Sequence, residues 1–135
     1  MRIKSFLKLI VILTSTFIFY NCEKSIFDYR HKYVGEWKFT TIQTDFHIDD
    51  TVGVYKMDTV YYNGSINYGE EREDLYIHYT KDRSLNLSVD KNGKLYNSSI
   101  NYGEGEFESK EKVCIRIKTG GLGAWTKYDI TGKKQ

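Results

Sequence analysis

The sequence predicts an all-β domain: an antiparallel meander of about seven or eight strands, closed into a barrel, behind an N-terminal signal helix. Three observations carry that prediction. From Tyr33 onward apolar residues recur with period two. Proline is absent, the aromatic share is 16%, and the 11 glycines fall at turn positions. No segment after the leader shows a helical period.

The leader comes first. Arg2, Lys4 and Lys8 precede an apolar run from Leu9 to Tyr20, and no acidic residue occurs before Glu23. Cation, apolar segment and cleavage site in that order make a secretory signal. The run falls short of the roughly 20 apolar residues of a retained span. Residues 1–21 are therefore read as a signal peptide, 22–32 as a tether, and 33–135 as the β-barrel domain. Cys22 directly follows the apolar run and is followed by polar Glu23-Lys24-Ser25. That arrangement resembles a lipobox, with Phe19 and Asn21 where Leu and a small residue are usual. The resemblance implies cleavage before Cys22 and acylation of its thiol, which would hold the chain on a membrane durably. Glu23 in place of aspartate favours the outer membrane by the same resemblance.

The first strand begins with Trp37 and Phe39 on one face. The apolar set then changes parity through Ile42, Phe46 and Ile48, which predicts a bulge or bend near Thr40–Thr41. A second strand runs from about Lys56 to Tyr68, with Val60, Tyr62, Ile66 and Tyr68 in phase. The third carries Leu75, Ile77 and Tyr79, the fourth Leu85, Leu87 and Val89, and the fifth Tyr96, Ile100 and Tyr102. Phe107 extends the fifth or begins a short extra strand. Val113, Ile115 and Ile117 mark the sixth, and Tyr128 and Ile130 the last. Asn92-Gly93 predicts a two-residue hairpin turn with both residues at positive φ. Lys81-Asp82-Arg83, Gly69 to Arg72 and Ser109 to Lys112 are further turns, and Gly120 to Gly123 a flexible connection. A closed barrel and a two-sheet sandwich both fit. Closure removes exposed edges, which favours the barrel.

Residues 62–70 (YNGSINYGE) recur at 96–104 (YNSSINYGE), differing only at Gly64 against Ser98. The copies read as a duplicated three-strand unit, as two equivalent Asn/Tyr binding strips, or as shared strand-and-turn chemistry. Tyr33-Val34-Gly35-Glu36-Trp37 resembles the Gly-x-Trp opening of lipocalin-like domains, and Tyr128-Asp129-Ile130-Thr131-Gly132 the terminal strand of such small lipoproteins. The resemblance implies a barrel with a possible ligand cavity, its floor closed by Trp37.

Composition excludes several classes. Without the leader, 17 basic side chains stand against 18 acidic ones, which argues against nucleic acid. Cys114 is left without an internal disulfide partner, and no C-x-x-C pair suggests redox or zinc chemistry. Asp45, His47 and Asp49 share a strand face with Asp50 beside them. A divalent metal would need further convergent ligands, so the reading is a solvated hairpin end and no metal or cofactor is assigned. His78 faces away from the core by parity, and Cys114 lies opposite Val113 and Ile115. No nucleophile elbow or phosphate loop is present.

The expectation is a non-enzymatic lipoprotein of the cell envelope, anchored through Cys22. It would bind a small apolar or glycan ligand in the barrel through Trp37, Tyr62, Tyr68, Tyr79, Tyr96 and Tyr102. The alternative is an envelope protein–protein interaction module with a filled core. A cavity of about 300 Å³ or more would favour the first.

Overall fold

The computed structural model describes residues 28–97 and 103–135. The signal peptide, Cys22, most of the tether, Ile100 and Tyr102 lie outside the described residues. Eight strands follow in order: β1 Gly35–Asp49, β2 Val52–Tyr68, β3 Asp74–Thr80, β4 Arg83–Val89, β5 Lys94–Tyr96, β6 Gly103–Ser109, β7 Lys112–Gly120 and β8 Ala124–Lys134. Each pairs antiparallel with the next and β8 pairs with β1, so the sheet closes into a barrel. The meander and its closure are as the period-two pattern predicts. Phe107 belongs to a strand of its own, β6, and β5 is a short piece around buried Leu95.

The barrel interior is occupied by side chains. Trp37, Phe39, Ile66, Leu75, Ile77, Tyr79, Leu87, Val89, Leu95, Phe107, Val113, Ile115, Ile117, Tyr128 and Ile130 are all buried in one cluster with Tyr33. These are the inward residues of alternating strands, and each large apolar side chain so buried contributes about 1.5–3 kcal/mol. Two glycines lie in register with the largest rings. Trp37 stands opposite Gly64 on β2, and Phe39 opposite Gly132 on β8. A Cβ at Gly132 would lie 2.6 Å from the Phe39 ring.

One end of the barrel is plugged. Asp28 caps a 3-10 turn, Tyr29–Lys32, by accepting from the Arg30 amide. Arg30 is buried there and donates to the Glu71 and Asp74 carbonyls while forming an ion pair with Asp28 at 2.7 Å. The Tyr29 hydroxyl donates to the Val89 carbonyl. Below them Tyr33 stacks on Phe107, and the Trp37 indole N–H donates to the Tyr33 carbonyl at 2.9 Å. The hydrogen bonds from Arg30 hold the Asp28 carboxyl below the ordinary aspartate range. A lowered folded value means that the contribution is present above the unfolded pKa, about 3.9, and is lost as pH falls through the folded one. Asp28→Asn should therefore lower Tm at neutral pH, with the gap to wild type closing below about pH 4. Thermal melts of both proteins across that range check it; a gap constant down to pH 2, about two units lower, contradicts it.

Two local expectations are corrected. No bulge interrupts β1 near Thr40–Thr41: its registers with β2 and β8 run unbroken through both residues. The apolar set changes parity because the strand leaves the barrel. Up to Thr41 the inward positions are buried; beyond it Ile42, Phe46 and Ile48 lie on the outer face. The Asn92-Gly93 turn has positive φ at Gly93 alone, and is closed by Asp90 accepting from the Asn92 and Lys94 amides. The hairpin with two positive-φ residues is instead Asp50-Thr51, between β1 and β2. Lastly, the two repeat copies sit differently in the sheet where both are described, residues 98–102 of the second lying outside the described residues. Tyr62 lies within β2 and Gly69 in the turn after it, whereas Tyr96 ends β5 and Gly103 opens β6. The copies share residue types that suit strands and turns.

Thr41 adds a further expectation. It is 2% exposed, and its hydroxyl is the one buried side-chain polar atom among the described residues without a hydrogen-bond partner. Such a group costs about 1–3 kcal/mol in desolvation. Thr41→Val keeps the shape and should raise stability by about 1 kcal/mol in urea titrations. A loss of stability would contradict this.

Candidate functional site

The site is built where β1 and β2 outrun the rest of the sheet. β2 pairs with β3 only from Ser65 to Tyr68, while it pairs with β1 from Val52 to Ile66. The two strands therefore continue past the barrel as a ribbon, flanked on one side by β8 and β7. Residues 52–61 are exposed on both faces.

The two faces of the ribbon differ. The face that continues the barrel interior turns polar at the mouth. Asp45 accepts from the Thr126 hydroxyl at 2.6 Å and from the Gln43 amide at 2.9 Å. These two groups hold its carboxyl below the ordinary range. Lys56 stands opposite Asp45 on β2, and Asp58 opposite Gln43. Just inside, Arg83 from β4 hydrogen-bonds the Tyr128 hydroxyl and lies over its ring, while burial raises the Tyr79 hydroxyl pKa.

The outer face is aromatic. Phe46 on β1 stands between Tyr55 on β2 and Trp125 on β8 in register. Its ring lies 4.9 Å from Tyr55 and 5.4 Å from Trp125, and the Lys118 ammonium sits 4.5 Å over the Trp125 ring. Phe46 also leans over Gly53, where a Cβ would come within 2.8 Å of it. Tyr55 is 68%, Met57 71% and Tyr61 78% exposed. A contiguous apolar ridge of this kind on a water-facing sheet is a mark of contact surfaces.

The ligand candidates are scattered by the fold. Trp37 and Tyr79 are buried in the interior. Tyr62 is half-buried at the mouth. Tyr68 lies at the plugged end, with the Arg30 guanidinium over its ring and its hydroxyl 3.1 Å from His31. Tyr96 is on the outer face and donates to Glu73. Tyr102 lies outside the described residues. Asp45, His47 and Asp49 do share a face, but Asp45 is engaged by Gln43 and Thr126. Among the described residues no three His, Cys, Asp or Glu side chains gather as metal ligands. His78 is on the outer face against Tyr76. Cys114 is half-buried there, donating to Glu108, and burial raises its thiol pKa. No described helix is long and apolar enough to cross a membrane.

The ridge escaped sequence reasoning because Phe46, Tyr55 and Trp125 come from three strands. The signal available was the parity change after Thr41, which is the point where the apolar residues switch faces.

No family model matches the chain, and no curated protein matches it. Among solved structures, the crystal structure of the ywiB protein from Bacillus subtilis is similar over 78% of this chain and 98% of that one, at 12% identity and a TM-score of 0.41.

Proposed function

We propose that this chain is a lipid-anchored, non-enzymatic interaction module of the cell envelope, built on a small lipocalin-like barrel. Cys22 carries the lipid, and the outer face of the β1–β2 ribbon docks a protein partner. The observation that supports docking over carriage of a ligand is the contrast between inside and outside. The interior is packed with Trp37, Phe39, Tyr79 and their neighbours, whereas Phe46, Tyr55 and Trp125 form an aromatic ridge beyond the barrel. Aromatic rings bearing a polar edge are enriched at protein interfaces, where a few such anchors carry most of the binding energy.

Extraction of the tagged chain from native membranes, with mass spectrometry of what accompanies it, tests the reading. Trp125→Ser and Tyr55→Ser should each remove a partner that the wild type retains, while Tyr96→Ser, on another part of the outer face, should keep it. Capture unchanged by either ribbon variant would refute docking there. Cys22→Ser should move the protein out of the membrane fraction; retention would refute the lipid anchor.

A further inference from the structure

We propose that β2 is the interface of a two-fold dimer: the free edge of one ribbon pairs antiparallel with the same edge of a second copy, with Met57 facing Met57 on the axis. The inference rests on reading the ribbon as a contact surface. It concerns the ribbon's edge, while partner docking concerns its outer face.

The edge is open for most of β2. Between Val52 and Gly64 no strand lies beside it among the described residues, apart from β1 on the other side. Edges of this length are ordinarily blunted by proline, bulges or lysines, because they template further pairing. This one runs unbroken in register, has no proline, and carries a single lysine.

The direction of its backbone groups follows from the neighbouring ladder. The Ile48 amide donates to the Gly123 carbonyl, and the Gln135 amide to the Glu36 carbonyl, so even residues of β1 face β8. Hydrogen-bonding direction alternates along a strand. Odd residues of β1 therefore face β2, and their partners Val52, Val54, Lys56 and Asp58 face back. That leaves Gly53, Tyr55, Met57, Thr59 and Tyr61 to present N–H and C=O groups to the open edge. In an antiparallel pair, opposite residues share this orientation, so a two-fold axis must pass through a residue, not between residues.

Charge then selects the residue. Lys56 and Asp58 are the only charged side chains between Val52 and Tyr68. An axis at Lys56 or at Asp58 sets like charges face to face. An axis at Met57 sets each Lys56 opposite the Asp58 of the other copy, twice over, on the face that continues the barrel interior. The same register places Val54 opposite Val60, Tyr55 opposite Thr59, and Gly53 opposite Tyr61. Met57 opposes itself at an outward, 71% exposed position. Cross-strand pairs of opposite charge and of β-branched residues are the stabilising kind.

The test uses the full chain in detergent on a Cys114→Ser background. Sedimentation should show a concentration-dependent dimer. Asp58→Lys and Lys56→Asp should each weaken it by roughly tenfold or more, since each turns both cross-strand pairs repulsive. Mixed together, the two variants should form a heterodimer, because every Lys then meets an Asp. Met57→Cys should give a disulfide-linked dimer on mild oxidation, with none in the parent background. Thermal melts confirm that each variant is folded, and Asp58→Lys faces neutral Gln43 within its own ribbon. A monomer at every concentration, open-ended oligomers, or failure of the mixed variants to associate would overturn the proposal. Loss of the dimer with partner capture intact would leave the docking proposal standing, and the converse holds.

Discussion

Trp37→Ala should lower the unfolding free energy by about 3–5 kcal/mol, the largest effect expected of any single replacement in this chain. Trp37 has no exposed surface, and its ring lies among Phe39 and Phe107 above the plugged end. Truncation leaves a void that Gly64, facing it on β2, has no side chain to fill. It also strips the Tyr33 carbonyl of its indole donor. Both losses act on the same end of the barrel, where Tyr33 already couples the chain entry to Phe107. Urea unfolding followed by circular dichroism measures the change. A loss under about 0.5 kcal/mol, the range of surface substitutions, would mean that the plug does not depend on this ring.

Gly64→Ala is the second large effect, and it arises from excess rather than loss. A Cβ there would stand 1.9 Å from the His78 carbonyl oxygen and 3.1 Å from the Phe39 ring. The carbonyl belongs to β3 at its last pairing with β2, Ser65 with His78. Relief requires the two strands to part at the point where the ribbon leaves the barrel. Overpacking of this sort costs about 1–3 kcal/mol, and a backbone obstacle places it at the upper end. The equivalent place in the second repeat copy is Ser98. The one mismatch between the copies thus falls where the first copy has no space for a side chain. A Gly64→Ala protein as stable as wild type would contradict the close approach.

Much of the barrel was legible because most strands are amphipathic within themselves. Leu75, Ile77 and Tyr79 alternate with polar or exposed neighbours, as do Val113, Ile115 and Ile117, and both sets are buried. Trp37 was legible as an interior residue for the same reason. The ribbon was not, because its pairing depends on which strands stop early. β3 ends its pairing at Ser65, a fact about partner lengths that no local window contains. The same limit hid the ridge, since Tyr55 and Trp125, whose rings lie 6.2 Å apart, come from strands that are brought together only by β1 between them. The Asp50-Thr51 turn was hidden for a different reason: it takes positive φ without glycine or asparagine, the residues that usually announce it.

Amide hydrogen exchange resolved by residue tests the central architecture most directly. A paired ribbon with one free edge predicts alternation along residues 53–61. Val54, Lys56, Asp58 and Val60, bonded back to β1, should exchange slowly at every protein concentration. Tyr55, Met57 and Thr59 should exchange fast in dilute solution and slow only as copies associate. Uniformly fast exchange across 53–61 at all concentrations would show that the two strands do not continue beyond the barrel.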